Sequence, residues 1–176
     1  QVQPESTEGV SQQMDRLDFC PPFQFGHTKA FELATKIAAL MPADLNHVFY
    51  TNSGTESADT SLKMARVYWQ LKGETSKTRF IGRQKGYHGV NFGGVAVGGI
   101  PANKRLFGEV LETDHLAHTV LPENVFTRGM PSHGAHMADE LETLVQTYGA
   151  DTIAAVIVEP MGGSAGVLPP PVGYLQ

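Results

Sequence analysis

The chain has 176 residues, of which 41% are hydrophobic and 18% charged, and its formal net charge is −5. This length suffices for one domain that buries roughly 70% of its unfolded surface, and the composition excludes a disordered chain. The negative balance disfavours a general nucleic-acid binder, and no apolar run reaches the roughly 18 residues that would span a membrane.

The single cysteine, Cys20, excludes an internal disulfide and is typical of a reducing compartment, so a cytoplasmic location is expected. The chain begins at Gln1 without a methionine and ends at Gln176 without a stop pattern. We therefore expect it to be part of a longer protein.

The first part of the chain is predicted to hold two helices and a strand. A short helix is expected over 8–17, followed by a loop over 23–27. Apolar residues then recur at helical spacing over 28–41, which predicts a second helix. Residues 47–51 are few and rich in strand-forming side chains, so a strand is predicted there.

The clearest helical pattern covers 53–71, where Gly73 is suited to cap the C-terminal end. A strand is predicted near 79–82 and a glycine-rich turn at 86–89. Residues 98–133 show no regular pattern and are predicted to be irregular.

The last part of the chain predicts a helix over 135–148, closed by Gly149. The apolar run TIAAVIV at 152–158 is typical of a strand covered on both faces, and a glycine- and proline-rich loop follows. Strands that alternate with helices in this way predict an α/β fold with a largely parallel sheet.

The join between the strand and the helix, VFYTNSGTE at 48–56, permits two interpretations. Ser53 followed by Glu56 fits a capping box, which is worth roughly 1 kcal/mol. Gly54 and Thr55 are weak helix formers, and small residues here would let an anion approach free N–H groups at the positive end of the helix. Both a phosphate site and plain capping stay open on these residues alone.

Two phosphate-binding fingerprints are missing from the sequence. There is no G-x-x-x-x-G-K-[ST] motif, and no G-x-G-x-x-G motif at a strand-to-helix join. The short SGTE join has room for one terminal phosphate, so the simplest ligand is a cofactor with one phosphomonoester and a flat ring.

Two further loops have residues suited to such a ring. Tyr87, between two glycines, is able to lie flat against it, although an ordinary turn with an exposed tyrosine explains the same residues. Glu159 closes the strand at 152–158 and needs a partner, because an unpaired buried carboxylate is costly. A salt bridge or a helix cap is the alternative for Glu159. These loops follow predicted strands, so they are expected to meet at one edge of the sheet.

Together these residues resemble the class III aminotransferases, and within them the ω-amino acid:pyruvate (β-alanine:pyruvate) branch. The resemblance extends over nearly the whole chain, with its motifs in the family's order. The runs that carry it are FQFGH, HVFYTNSGTESADTSLKMARVYW, GYHGVNFGG, LFG, DHLAHTVLP and AAVIVEPMGGSAGVLPPPVGYL.

The resemblance implies a three-layer α/β/α large domain of the fold-type I, pyridoxal 5′-phosphate (PLP)-dependent transferases, incomplete in this chain. Residues 1–27 would form an N-terminal segment with a substrate-pocket loop, and 28–176 part of the PLP-binding large domain. It also implies a homodimer or higher homo-oligomer, with sites at the subunit interface.

The family's cofactor contacts can be placed on this sequence. Ser53, Gly54 and Thr55 match the turn that binds the phosphate. Tyr87 matches the aromatic residue that stacks on the pyridine ring, and His88 lies beside it.

Other matching positions concern the substrate and the branch of the family. Glu159 matches the carboxylate of the V-E-P motif near the cofactor, whereas Phe23 and Phe25 fall in the loop that shapes the substrate pocket. Several relatives that act on 4-aminobutyrate or ornithine have a glutamate five residues after the V-E-P glutamate. Ser164 stands there in this chain, as in the pyruvate-using branch.

The family's Schiff-base lysine, and the aspartate that pairs with the pyridinium nitrogen, are expected beyond Gln176. Lys85 lies near Tyr87 but not in the matching context. The resemblance thus implies transamination between an ω-amino acid or amine donor and pyruvate in the whole protein, and an inactive segment here. An aminomutase, a decarboxylase and a non-catalytic phosphate-binding module are the alternatives.

A metal site is the last possibility that the sequence raises. The pairs His115 and His118, and His133 and His136, have spacings found among metal ligands, but no cysteine or glutamate at ligand spacing supports them. We expect these four residues to be loop histidines and the protein to have no metal.

Overall fold

The computed structural model describes residues 3–42 and 44–176. The chain divides into two compact units, Gln1–Tyr50 and Thr51–Gln176. None of the described helices combines the length and the apolar character needed to cross a bilayer.

The first unit holds the two predicted helices, α1 (Pro4–Arg16) and α2 (Thr28–Ala38). Proline is favoured in the first turn of α1, because its missing N–H would have no partner there. Nδ1 of His27 accepts the N–H of Lys29 at 3.1 Å and so caps α2. Both helices are therefore confirmed, although α2 ends at Ala38 rather than at residue 41.

The predicted strand over 47–51 is wrong. These residues have no regular secondary structure and join no ladder among the described strands. A strand needs a hydrogen-bonded neighbour, and strand-forming side chains alone do not supply one. In the first unit, the hydroxyl of Tyr50 instead donates to the carbonyl oxygen of Ala30 at 2.7 Å.

The second unit is built from four helices and three strands. The helices are α3 (Gly54–Leu71), α4 (Phe92–Val97), α5 (Pro101–Lys104) and α6 (Glu140–Tyr148), and the strands are β1 (Arg79–Arg83), β2 (Thr113–Leu116) and β3 (Ile153–Val156). The strands lie in the order β2-β1-β3, and β1 is parallel to both neighbours. The predicted parallel α/β sheet is confirmed.

Helices cover both faces of this sheet. Side chains alternate along a strand, so Phe80 faces α3, where it packs with Leu62 and Val97 in the buried core. Arg79 points to the opposite face, where its guanidinium lies 4.0 Å from the ring centre of Tyr148 in α6. The second unit thus has helix, sheet and helix layers.

The indole of Trp69 ties α3 to the edge strand β3. Its Nε1–H donates to the carbonyl oxygen of Ala154 at 2.6 Å, and Lys77 lies over the ring at 4.3 Å from the ring centre. A partly buried donor thereby finds a partner, and the ammonium group of the lysine makes a cation–π contact with the aromatic face.

The prediction of an irregular stretch over 98–133 is wrong where β2 and α5 form. The strand β2 reads Thr-Asp-His-Leu, which is poor in strand-forming residues, so its local pattern gives no indication of it. Tertiary bonds compensate. The carboxylate of Asp114 binds Arg79 at 2.6 Å and accepts the hydroxyl of Tyr148 at 2.9 Å.

Helix α4 was not predicted either, because two glycines in Phe-Gly-Gly-Val-Ala-Val weaken the helical pattern. The glycines are required by packing. A Cβ on Gly94 would overlap the carbonyl oxygen of His88. The N–H of Gly94 donates to Oδ1 of Asp59 in α3 at 2.8 Å.

The final elements differ from the sequence pattern only in detail. Residues Ala135–Asp139 form a 3-10 helix before α6 begins, and Gly149 ends α6 with a φ of 85°. β3 is an edge strand among the described strands. In addition, the side chain of Val156 in β3 is 40% exposed. The prediction that this strand is covered on both faces is therefore not met among the described residues.

Replacing Asp59 with alanine should lower the unfolding free energy by about 1 kcal/mol, because the N–H of Gly94 loses its acceptor. Asp59→Asn keeps a carbonyl oxygen at the same place and should retain most of the stability. Chemical denaturation of the intact protein measures both. Equal losses in the two variants would contradict the capping role of Asp59.

Replacing Gly94 with alanine should cost about 2 kcal/mol, since the new methyl group meets the backbone of His88, which cannot move aside alone. Gly163→Ala is the matched control, because a Cβ there meets nothing within 4 Å. Thermal unfolding of both variants provides the comparison. An unchanged midpoint for Gly94→Ala would show that α4 is not held against this loop.

Candidate functional site

The candidate site lies where the parallel strands of the second unit end. A loop over 84–91 follows β1, and residues 157–168 follow β3, with an isolated bridge between Gly162 and Leu168. Parallel strands end at the same edge of a sheet, which is where α/β proteins bind ligands.

The N-terminus of α3 is capped as the sequence predicts, with one difference. Oγ of Ser53 accepts the N–H of Glu56 at 3.1 Å. The carboxylate of Glu56 accepts the N–H of Asn52 at 2.8 Å, one residue before the position that a standard capping box uses. The acidic side chain is thereby turned back along the chain.

This cap leaves other N–H groups of α3 free. The N–H groups of Gly54 and Thr55 have no hydrogen-bond partner among the described residues. A Cβ on Gly54 would meet nothing within 4 Å, so the space beside this residue is open. Capping and anion binding are compatible here, because the cap uses the N–H of Glu56.

Thr55 connects the start of α3 to the loop after β1. Its Oγ1 accepts the N–H of Val90 at 3.4 Å. Gly89 has a φ of 106°, and a Cβ on it would lie 2.6 Å from Oγ1 of Thr55. Only glycine fits this contact, so the loop and the helix start are held side by side.

The side chains of His88 and Glu159 both lie close to Gly86 in this loop. A Cβ on Gly86 would lie 3.4 Å from Nε2 of His88 and 3.8 Å from Oε2 of Glu159. Both of these atoms are buried, and neither has a hydrogen-bond partner in the structure. Unpartnered buried polar atoms are rare in folded proteins and often mark a functional site.

The surroundings of His88 oppose its protonation. Burial lowers the pKa of His88, and the positive charge of Arg83 and the nearby His115 lower it further. The neutral imidazole has one donor and one acceptor nitrogen. The lowered pKa thus favours the neutral imidazole of His88, whose Nε2 either donates or accepts one hydrogen bond depending on the tautomer.

Tyr87 lies in the middle of this loop and is 38% exposed. Lys85, two residues earlier, has a φ of 66°, and its N–H donates to the carbonyl oxygen of Gly99 at 2.8 Å. The loop is therefore anchored at a strained corner while the tyrosine ring stays accessible. A flat ligand has an aromatic surface available there.

Strained backbone recurs at the candidate loops. The described non-glycine residues with a positive φ are Gln24 at 69°, Lys85 at 66° and Val167 at 59°. Gln24 separates Phe23 from Phe25, and Val167 lies in the loop that follows Glu159. Backbone strain of this kind clusters at functional sites, because the surrounding structure must maintain it.

Phe23 and Phe25 belong to the first unit, and their side chains are 83% and 65% exposed. A Cβ on Gly26 would overlap the ring of Phe31, so the loop passes closely over α2. Both phenylalanines are free to contact a ligand or a partner. Their assignment to the substrate pocket stays a prediction.

The expectation of four loop histidines is wrong for two of them, because His115 lies in β2 and His136 lies in the 3-10 helix over Ala135–Asp139. The side chains of His115 and His118 have protein partners. Nε2 of His115 lies 2.9 Å from the carbonyl oxygen of Gly98 and therefore donates to it. Nδ1 of His118 accepts a backbone N–H at 3.2 Å. The described residues contain no group of three or more His, Cys, Asp or Glu side chains that could hold a metal ion.

The sequence pattern missed Arg83, which is only 5% exposed and donates to the carbonyl oxygen of Glu159 at 2.8 Å. A hint was present in Arg-Phe-Ile-Gly-Arg, where a charge closes an apolar strand. The same reasoning that singled out Glu159 applies to Arg83, since a buried charge needs a partner.

These groups fit PLP. Free N–H groups at the start of α3 suit a phosphate, the ring of Tyr87 suits an aromatic heterocycle, and the buried polar atoms of His88 and Glu159 suit its substituents. Contacts through Thr55 bring the helix start and the loop together.

Comparison with known proteins identifies the family. The model for "Aminotransferase class-III" matches residues 2–176. The chain is 57% identical over 173 residues to the beta-alanine–pyruvate aminotransferase of Pseudomonas aeruginosa, covering 98% of the chain and 39% of the relative. It is 52% identical over 174 residues to the omega-amino acid–pyruvate aminotransferase of Pseudomonas putida, again covering 98% and 39%.

A solved structure agrees with these relatives. The PLP-bound amine transaminase from an uncultivated Pseudomonas species superposes with a TM-score of 0.84 and 31% identity, covering 98% of this chain and 40% of that chain. This similarity confirms the expected fold class. The chain spans about 39% of the length of the curated relatives that it matches. Because the family model matches residues 2–176 and the relative from Pseudomonas aeruginosa is 57% identical, the chain belongs to the class III aminotransferase family.

Proposed function

We propose that the whole protein containing this chain is a PLP-dependent aminotransferase that exchanges an amino group between an ω-amino acid or amine donor and pyruvate. The observation that carries the proposal is the convergence of three unlike groups at one sheet edge. Free N–H groups at Gly54 and Thr55, the accessible ring of Tyr87 and the buried polar atoms of His88 and Glu159 come together there.

In this proposal the phosphate of PLP binds the turn at Ser53, Gly54 and Thr55. The backbone N–H groups of Gly54 and Thr55 would donate hydrogen bonds to it. The hydroxyl groups of Ser53 and Thr55 would also donate, because among the described residues each oxygen only accepts a hydrogen bond and its O–H is unused. The positive end of the α3 dipole adds to the attraction. Glu56 does not oppose the anion directly, since its carboxylate is bound to Asn52.

The ring of the cofactor would lie on Tyr87, with His88 and Glu159 beside it. When bound, PLP supplies an electron-withdrawing ring that stabilises negative charge on the substrate carbon. The chain's own residues orient that ring, cover one of its faces and exclude water from it. Nε2 of the imidazole of His88 and Oε2 of Glu159 are buried without partners among the described residues and would be free to form hydrogen bonds with the ring's polar substituents.

Two observations support the proposed amino-group donor and the proposed acceptor, pyruvate. The relatives at 57% and 52% identity are named for beta-alanine or omega-amino acids together with pyruvate. In addition, Ser164 stands where relatives that act on 4-aminobutyrate or ornithine carry a glutamate. Ser164 is small and polar, so this chain lacks the carboxylate that those relatives have at this position.

The remaining features of the whole protein follow from the family. We propose that residues 28–176 belong to its PLP-binding large domain and that 1–27 form the N-terminal segment. Phe23 and Phe25 would then contribute to the substrate pocket and to the contact between subunits of a homodimer. A cytoplasmic location agrees with a single cysteine, Cys20, and with a chain that has no disulfide.

Borohydride reduction of the whole protein tests the cofactor. We expect a reduced PLP group fixed to one lysine, detected as a mass increase on a single peptide. A protein that shows no adduct after incubation with PLP would refute the proposal and favour the non-catalytic phosphate-binding module.

The reaction type needs a separate assay. We expect alanine to accumulate when the loaded protein receives pyruvate together with β-alanine or an aromatic amine. If no pyruvate is consumed, release of carbon dioxide from the amino acid would instead indicate a decarboxylase, and an isomerised amino acid would indicate an aminomutase. Each of these enzymes would also give the borohydride adduct.

Tyr87→Ala should weaken cofactor retention roughly tenfold, because the ring loses its stacking surface. Tyr87→Phe keeps the aromatic face and is the matched control, with retention close to that of the natural protein. Equilibrium dialysis followed by absorbance of the retained cofactor measures both. If alanine and phenylalanine gave equal retention, Tyr87 would have no stacking role.

A further inference from the structure

The buried guanidinium of Arg83 is not explained by the fold alone. Arg83 ends the central strand β1, is 5% exposed, and has no carboxylate within 4 Å among the described residues. Its Nη1 is buried without a hydrogen-bond partner. Burying a cation is costly unless it is paired, so this arrangement needs a compensating role.

The contacts that Arg83 does make join two loops of the candidate site. Its Nη2 donates to the carbonyl oxygen of Glu159 at 2.8 Å. Its own carbonyl oxygen accepts the N–H of Gly86 at 3.0 Å, at the start of the loop that carries Tyr87 and His88. One residue thus holds the loop after β1 by its backbone and the residue after β3 by its side chain.

Tyr174 closes the other side of the guanidinium. Its ring centre lies 5.6 Å from the guanidinium carbon of Arg83, and the ring is 5% exposed. The aromatic face favours a cation and separates it from solvent. Arg83 is therefore fixed between Tyr174 and the backbone of Glu159.

We propose that Arg83 is a positioning residue for the cofactor site, which holds the Glu159 turn and the loop of His88 at a fixed separation. The inference rests on the proposed function, because the site that Arg83 supports is the proposed PLP site. Arg83 does not touch the cofactor in this role. It acts through its hydrogen bonds to Glu159 and Gly86.

The planar shape of arginine matters for this role. Nη2 binds the Glu159 carbonyl while the face of the same group lies over Tyr174, and both contacts need the rigid fork. A lysine would keep the positive charge near His88 but would lose this geometry. Arg83→Lys therefore tests the contacts of the guanidinium group while the positive charge near His88 is kept.

Arg79 provides the control for a purely structural role. It lies on the same strand and face, is partly buried, and binds Asp114 at 2.6 Å instead of the candidate site. Arg79→Met should lower stability without changing groups near Glu159. Arg83→Met should alter those groups even when both variants are folded.

The first test uses the whole protein without cofactor and follows the imidazole of His88 by NMR as the pH changes. The charged and titratable groups near this ring are Arg83, His115 and Glu159. The positive charge of Arg83 lowers the pKa of His88, so Arg83→Met should raise it, whereas Arg83→Lys should leave it nearly unchanged. Arg79→Met should also leave it unchanged.

The second test measures cofactor retention by equilibrium dialysis. We expect Arg83→Lys to weaken PLP binding on the order of tenfold, because displaced groups bind a ligand less well than groups held in place. Arg79→Met should bind as the natural protein does. If Arg83→Met does not fold, the lysine variant alone decides, since natural retention by it would overturn the proposal.

The outcomes separate this inference from the proposed function. A natural protein that binds no PLP refutes the function, yet the NMR titration still reports whether Arg83 acts on His88. If the natural protein and Arg83→Lys retain PLP equally well, the positioning role is refuted and the proposed function is not. An unchanged His88 titration in folded Arg83→Met also overturns the positioning role.

Discussion

Parallel pairing of β1 with both β2 and β3 is the constraint on which the candidate site depends. It makes the strands end at one edge, where the loop of His88 meets the turn at Glu159. Helix α3 adds its N-terminus to this edge, because Gly89 leaves room for Thr55. A small sheet thereby gathers polar groups that lie far apart in sequence. Without this register the loop of Tyr87 and the start of α3, which we propose to hold the cofactor, would not lie at one edge.

The site combines completed and incomplete polar contacts in an orderly way. Ser53 completes the cap of α3, while the two N–H groups at Gly54 and Thr55 stay free. Beneath the loop, Nε2 of His88 and Oε2 of Glu159 are buried without partners. Such atoms reduce stability by the desolvation that they do not recover. Two such atoms beneath one loop match a protein in which a bound ligand completes their hydrogen bonds.

Periodicity and motif predicted much of this architecture, and tertiary packing decided the rest. The 18 residues of α3 carry a clear helical pattern, and Ser53 followed by Glu56 predicted the cap at its start. β2 could not be predicted because Asp114 belongs in a strand only through its bonds to Arg79 and Tyr148. The glycines of α4 weaken a local helix, yet Gly94 is what lets that helix lie against the loop. Arg83 was missed because its partner is a backbone oxygen distant in sequence.

The fluorescence of Trp69 is suited to detect a ligand at the start of α3. This residue is the single tryptophan of these 176 residues, and it lies 15 residues after Gly54, the first residue of α3. A helix rises 1.5 Å per residue, so the indole lies about 22 Å along the axis from the end of α3 that we propose to bind phosphate. That span is within the range of resonance energy transfer, so indole emission would dim when a chromophore that absorbs near the visible occupied the far end.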